Sequence, residues 1–244
     1  MTTIAALYDI HGNLPALDAV LDDVRRERVD LIVLGGDVVP GPLPRETIDR
    51  LRTIDIPIRF IRGNGDRAVG TLMAGGDPAE IPAPYRKIMT WTARQLDATD
   101  QALLGSWPPT LRLQVDGIGD VLFCHATPQN DIDIFTRRTP DARLSSLLGN
   151  VEADVVVCGH THMQFDRTLG DVRVVNAGSV GMPFGPPGAY WLLLGPTVEL
   201  RHTPYDLEQA AARIRATTYP EAETFATRNI LNPPTEAHML DVFG

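Results

Sequence analysis

Five short blocks of glycine, aspartate, asparagine and histidine punctuate residues 9–162, and each directly follows a run of apolar or β-branched residues. They read Asp9-Ile10-His11-Gly12-Asn13, Gly36-Asp37, Gly63-Asn64-Gly65-Asp66, Cys124-His125 and Gly159-His160-Thr161-His162. Short apolar runs bounded by turn residues are buried strands. The first, 4–8, is followed by a helical pattern over 14–26, with Leu14, Leu17, Leu21 and Val24 at helical spacing and Asn13 placed to cap it. Strand 31–34, helix 45–54 (Ile48, Leu51, Ile54) and strand 58–62 repeat the rhythm. Strand–helix alternation of this kind predicts parallel βαβ units. In such sheets ligands bind beyond the carboxyl ends of the strands, so the first three blocks should converge at one sheet edge.

The later part of the chain is richer in strands. Segments 111–115 and 121–124 flank Asp116-Gly117-Ile118-Gly119-Asp120, a hairpin turn, and 155–158 leads into the double-histidine block. Segments 172–175, 189–194 and 198–202 read as a mostly antiparallel meander. An amphipathic helix over 206–216 precedes a polar, proline-bearing tail, 217–244, whose order the sequence leaves open. Residues 67–106 break the rhythm: a flexible 70–84 stretch leads to helical pieces at 85–96 and 100–106. That is too long for a plain connection and reads as a helical cap near the site, or else as a surface excursion away from it. With no repeat and no linker, residues 1–244 are expected to form one α/β domain of two packed sheets with outer helices.

Composition narrows the partners. A net charge of −9 argues against a surface for nucleic-acid backbone or anionic membrane, whereas a small phosphorylated substrate drawn by a metal remains compatible. No segment approaches the roughly 20 apolar residues of a membrane helix. The N-terminus lacks a signal-peptide layout, and two cysteines make no disulfide framework, so Cys124 and Cys158 are expected to be buried thiols in a cytoplasmic protein. Nothing in the sequence fixes an oligomeric state.

The blocks together offer Asp9, His11, Asp37, Asn64, His125, His160 and His162, all oxygen or nitrogen donors with no sulfur. Such a set suits two hard or borderline divalent metals rather than one structural zinc. Asp9 and His11 alternate along the chain and would share a side if the segment stays extended, although Asp in such a place also caps turns. Asp37 after a buried strand could bridge two metals or merely start a turn. His160 and His162 flank one residue beside a tight turn and form a natural chelate. Asn64 adds a neutral amide oxygen. His202 and His238 lie outside every block.

Taken in order, the blocks resemble the signature of the calcineurin-like metallophosphoesterase superfamily: Asp-x-His, Gly-Asp, Gly-Asn-His-Asp/Glu, His, then Gly-His-x-His. Asn176-Ala177-Gly178-Ser179-Val180-Gly181 is similar to the segment that follows in small bacterial and archaeal phosphodiesterases, and Trp91-Thr92 to Leu96 with Trp107-Pro108-Pro109 resembles their helical insert. The resemblance implies a four-layer α-β-β-α sandwich of two mixed sheets flanked by helices. It implies one metal held by Asp9, His11, Asp37 and His162, and a second held by Asp37, Asn64, His125 and His160. Manganese, iron, zinc or nickel would serve. The metals would lower the pKa of a bridging water for in-line attack, with no covalent enzyme intermediate. Asn64 and Asp66 fall at catalytic positions, and Asn13, Gly65 and Arg67 at substrate-facing ones.

The third block departs from the family pattern. Where family phosphatases carry a histidine that touches phosphate and protonates the leaving oxygen, this chain has Gly65. Losing a general acid commonly costs about 10²–10⁴ in rate. Relatives without this histidine tend toward diesters, so a small-substrate phosphodiesterase is the leading expectation, with Arg67 either a partial substitute that contacts phosphate or a solvated or ion-paired arginine. A phosphomonoesterase, dinucleoside-polyphosphate hydrolase or protein phosphatase of the same superfamily is the alternative. A non-catalytic scaffold, like the superfamily's retromer subunit, fits less well because all seven ligand side chains are present. On this reading Gly65→His should shift activity toward monoesters.

Overall fold

Strand β1 (Ile4–Leu7) shows how period-two patterning builds the layers. Successive strand side chains point to opposite faces, and here both faces are buried. Ile4, Ala6 and the following Tyr8 join one core, while Ala5 and Leu7 join another. In the computed structural model, which describes residues 2–77 and 81–244, β1 lies at the centre of a five-stranded sheet. β2 (Leu31–Leu34) and β3 (Ile58–Phe60) run parallel to it on one side. The second sheet holds β4 (Thr110–Val115), β5 (Gly119–Cys124), β6 (Val155–Cys158), β7 (Phe165–Leu169) and β8 (Val172–Asn176), in the order β4-β5-β6-β8-β7. There β5, β6 and β8 are parallel, with β4 and β7 as antiparallel edges. β9 (Ala189–Leu194) returns to pair antiparallel with β1 and turns into β10 (Val198–Thr203), completing the first sheet.

The inner faces of the two sheets interdigitate through Ile4, Tyr8, Val33 and Ile61 against Val121, Phe123 and Val157. Outside the first sheet pack α1 (Leu14–Arg26), α2 (Pro44–Arg52) and α3 (Asn64–Met73), followed by α4 (Ala83–Gln95) and α5 (Ala98–Ser106). Asn13 caps α1, its Oδ1 accepting the Ala16 N–H at 3.2 Å. Outside the second sheet, α6 (Asp141–Leu148) buries Leu144 and Leu148 against Val156 and Cys158. Two mixed sheets flanked by helices are therefore the architecture, as the sequence predicts. Both cysteines are free and buried, and no helix among the described residues is long and apolar enough to cross a membrane.

Three local expectations are corrected. The supposed meander is split, because β8 pairs parallel with β6 in the second sheet while β9 and β10 belong to the first. Alternation sets which face of a strand is buried but not which sheet it joins. The stretch expected to be flexible from residue 70 begins as helix, since α3 runs through Met73; residues 78–80 of that stretch lie outside the described residues. The 217–244 tail is ordered. After α7 (Leu207–Arg215) it forms α8 (Ala222–Phe225), a π-helical continuation over Ala226–Leu231, and α9 (Glu236–Phe243). Tyr219, Phe225, Ala226 and Ile230 pack on Ala210, Ala211 and Ile214 of α7. These helices are too short for periodicity to reveal them. β7 and α6, likewise short, also went unread.

Because Ile230 is buried against α7, Ile230→Ala should destabilise the protein by about 2–4 kcal/mol in urea unfolding, the usual range for a buried Ile truncated to Ala. A cost below about 1 kcal/mol would mean a detached tail.

Candidate metal centre

Five strand ends deliver the seven side chains. β1 leads to Asp9 and His11, β2 to Asp37, β3 to Asn64, β5 to His125, and β6 to His160 and His162. Because β1–β3 are mutually parallel, as are β5 and β6, each sheet sends its loops out at carboxyl ends, and the two sets meet. The backbone turns hard to do this. Asp9, His11, Asp37, His160 and His162 all adopt φ between 48° and 65°, a region that costs a non-glycine residue about 1–3 kcal/mol and clusters at functional sites. Among the described residues only one other non-glycine, Arg28, shares it. The extended geometry expected for Asp9 and His11 is thus replaced by two left-handed turns.

The side chains close on one point. Asp9 Oδ2 accepts the His160 backbone N–H at 2.8 Å, whereas Asp9 Oδ1 is buried with no hydrogen-bond partner. That orphan oxygen lies 3.4 Å from His162 Nε2, 3.8 Å from His11 Nε2 and 3.9 Å from His125 Nε2. Asp37 places Oδ2 at 3.7 Å from His11 Nε2 and Oδ1 at 3.6 Å from His125 Nε2. Asn64 Oδ1 is 3.1 Å from His125 Nε2. The Nδ1 atoms of His11, His125 and His162 face the carbonyls of Pro40, Gly35 and Met182 at 3.3, 2.9 and 2.7 Å. A protonated Nδ1 donating to each carbonyl leaves the Nε2 lone pair aimed inward, the arrangement that orients metal-binding imidazoles.

Two sets, Asp9–His11–His162 and Asp9–Asp37–His125, have ligand atoms within 4.8 Å of one another. His160 stands outside both, with its ring edge-on to His125 at 5.1 Å. A buried carboxylate oxygen without a donor, ringed by inward-facing nitrogens, fits a cation. By contrast, His202 on β10 turns its Nε2 to the Pro187 carbonyl, and His238 lies on α9.

Electrostatics agrees. Burial works to raise the Asp9 carboxyl, yet His162, His125 and His11 outweigh it and hold it below the ordinary carboxylate range. Burial pushes Asp37 up to about 6 against the pull of His125. Burial lowers His11 to about 3 and His160 to about 4, assisted by His162 and His125 respectively. Burial also opposes charge on His125 and His162, but Asp37 and Asp9 for the first, and Asp9 for the second, raise both above the usual value. The negative potential that raises these imidazoles favours any cation placed among them.

The remaining sequence candidates have different places. Asp66 is fully buried and accepts backbone N–H groups of Asp37 (2.7 Å), Gly63 (3.0 Å) and Val39 (3.1 Å). It therefore positions the Asp37 loop and does not face a reacting group; burial and then Asp37 push its carboxyl up to about 8. Asn13 has its amide engaged with Ala16, Gly181 and Tyr205, and is fully buried rather than substrate-facing. Arg67 makes a two-bond pair with Asp131 at 2.8 and 2.9 Å while lining the cavity above the site. Gly65 donates its N–H to Asp37 Oδ1 at 2.7 Å. A Cβ there would lie 2.6 Å from the Val39 carbonyl oxygen and 2.8 Å from Pro40 Cδ. This corrects the expectation for Gly65→His: the position has no room for a side chain, so the change would displace the Asp37 loop instead of restoring an acid.

The cavity is about 960 Å³, with His11, Asp37, Asn64, His160 and His162 among its lining residues. Its walls come from α4, from the loop after His125, and from the tail. Sequence reasoning missed the last two walls, the Asp131 partner and the carbonyls that orient the imidazoles. Only the apolar Ile132 and Ile134, alternating with Asp131 and Asp133 before Phe135, could have signalled a wall.

A matched pair of substitutions on α3 tests the packing around the third block. Gly65→Ala should destabilise by about 1–3 kcal/mol through overpacking and reduce metal retention. Gly70→Ala, with nothing within 4 Å of the added Cβ, should be neutral or stabilise by up to about 1 kcal/mol. Thermal unfolding and metal content of the two variants decide it. Asp66→Ala, which strands three buried N–H groups, should cost about 2–4 kcal/mol.

The profile for the calcineurin-like phosphoesterase superfamily domain matches residues 2–195. Phosphodiesterase YfcE of Escherichia coli is 27% identical over 195 residues, covering 76% of this chain and 83% of that protein. A metallophosphoesterase structure from Sphaerobacter thermophilus superposes with a TM-score of 0.72 at 26% identity, over 93% of this chain and 97% of that one. The hypothetical protein PH1004 from Pyrococcus horikoshii OT3 shares the fold, with a TM-score of 0.78 at 22% identity and coverage of 93% and 98%. With fold and family match in agreement, the chain belongs to the calcineurin-like phosphoesterase superfamily and is a metal-dependent phosphoric ester hydrolase.

Proposed function

We propose that this chain is a phosphodiesterase that uses two divalent metal ions to hydrolyse small phosphodiesters. The observation that carries the reading is the buried, unpartnered Asp9 Oδ1 within 4 Å of three imidazole Nε2 atoms whose Nδ1 atoms face backbone carbonyls. Asp9, His11, Asp37 and His162 would hold one ion, and Asp37, Asn64, His125 and His160 the other. When bound, such ions draw in the phosphate and lower the pKa of a water.

The chain's own groups do the rest. Asp9 and Asp37 balance the charge, and the carbonyls of Gly35, Pro40 and Met182 keep the imidazoles in one tautomer. Asp66 keeps the Asp37 loop in register. Hydrolysis forms a bond from water oxygen to phosphorus, breaks one ester P–O bond, and moves one water proton to the departing oxygen. Gly65 offers no side chain to deliver that proton or to contact a further charged phosphate oxygen. This penalises monoesters and poor leaving groups more than activated diesters. YfcE, a relative named as a phosphodiesterase, supports the same preference. In this reading the chain works as one domain and the segment 67–106 acts as its cap.

Purified protein loaded with manganese, zinc, nickel or iron should hydrolyse bis(p-nitrophenyl) phosphate faster than p-nitrophenyl phosphate, by about ten-fold or more. Chelation should abolish both activities, and Asp37→Asn should lower kcat by about 100-fold or more. A clear preference for the monoester in every metal would overturn the diester assignment. A protein that binds no metal and hydrolyses neither ester would overturn the reading entirely.

A further inference from the structure

The cavity above the metal centre has a chemical character that the ligand set does not explain. Three separated segments build its walls: α4 through Tyr85 and Ile88, the loop after His125 through Ile132 and Ile134, and the tail through Tyr219 and Phe225. Five large apolar side chains are strongly exposed among the described residues, and three of them, Tyr85 (55%), Ile132 (50%) and Ile134 (40%), line this one cavity. Exposed apolar groups that gather in one concavity mark a binding surface.

The same walls are poor in positive charge. Arg67 is the one cationic side chain among the described lining residues, and it is paired with Asp131; Glu221 adds an acidic group. A polyphosphate chain would call for several cations along its path, and a polymer backbone would call for a basic track. Neither is present in the lining.

The loop bearing the two isoleucines is also held in place. The Arg67–Asp131 pair ties it to α3, and Asn130 and Thr127 both bond Asp133 Oδ2, at 2.7 and 2.9 Å. On the opposite wall, Trp91 of α4 meets Tyr219 edge-on at 5.3 Å, joining α4 to the tail. The apolar surface is thus built into fixed supports.

We infer that the substrate is a small phosphodiester with one apolar, aromatic-sized ester group, and that this group lies between Tyr85 and Ile88 on one side and Ile132 and Ile134 on the other. This rests on the phosphodiesterase reading, and it names the substrate class of the same site. Anionic groups and polyphosphates are disfavoured by Glu221 and by the lack of further cations in the lining.

The test compares binding of diphenyl phosphate and dimethyl phosphate to the metal-loaded protein by calorimetry, alongside hydrolysis of bis(p-nitrophenyl) phosphate. Diphenyl phosphate should bind at least about ten-fold tighter, as burial of one aromatic ring predicts. In Ile132→Ser/Ile134→Ser the preference should shrink by about five-fold or more, with little change in melting temperature because both side chains are exposed. Equal affinity for the two phosphates, or an undiminished preference in the variant, would overturn the inference while hydrolysis keeps the phosphodiesterase reading intact. Retained preference for diphenyl phosphate with no hydrolysis of any ester would overturn the hydrolytic reading and, with it, the assignment of the apolar group to a substrate.

Discussion

The hydrogen bonds made by Asp9 join the two halves of this molecule where its chemistry lies. Asp9, at the end of the first sheet's central strand, accepts the backbone N–H of His160 from the loop after β6 of the second sheet. Ser179 closes the same junction, donating to the Asp9 carbonyl and accepting from Met182 N–H, both at 2.8 Å. Met182 in turn presents its carbonyl to His162. With Oδ2 fixed by His160, the free Oδ1 can point only inward. The relative position of the two sheets and the position of the unpartnered oxygen are therefore one and the same constraint.

Outward from that junction, the supporting groups are mostly backbone. Three carbonyls face the histidines, and three N–H groups are gathered by Asp66. Backbone groups cannot swing away as long side chains do, so the site's geometry is set by chain path. This is also why glycine recurs so close to the ligands. A Cβ at Gly159 would lie 2.5 Å from Asp9 Oδ2, and one at Gly63 would lie 2.2 Å from Asp37 Oδ1.

Much of this was legible in the sequence, and the reason is physical. Strands such as β1 and β6 bury both faces, so they appear as unbroken apolar runs, and each ends in a block whose residue types are chemically distinctive. The first three blocks could be placed at one sheet edge from topology alone, whereas the histidines of the last two blocks come from the second sheet. What stayed hidden depended on three-dimensional neighbours. Asp66 looks like a catalytic carboxylate until its three N–H donors are seen. Gly65 looks like a missing histidine until the Val39 carbonyl is found against it. The tail shows no period because its helices are short, yet Tyr219 and Phe225 help wall the cavity. The placement of β8 and β9 in different sheets could not be read either, since an apolar strand pattern does not say which sheet a strand joins.

The left-handed turns at Asp9, His11, Asp37, His160 and His162 have a further meaning. At each of these positions glycine would be the comfortable residue, and the folded chain carries an aspartate or histidine instead. Stability and function therefore pull in opposite directions at the same five peptide units. The surrounding apolar layers are what allow the fold to tolerate that opposition. A chain selected for stability alone would be expected to drift toward glycine there, keeping its sandwich and losing its chemistry.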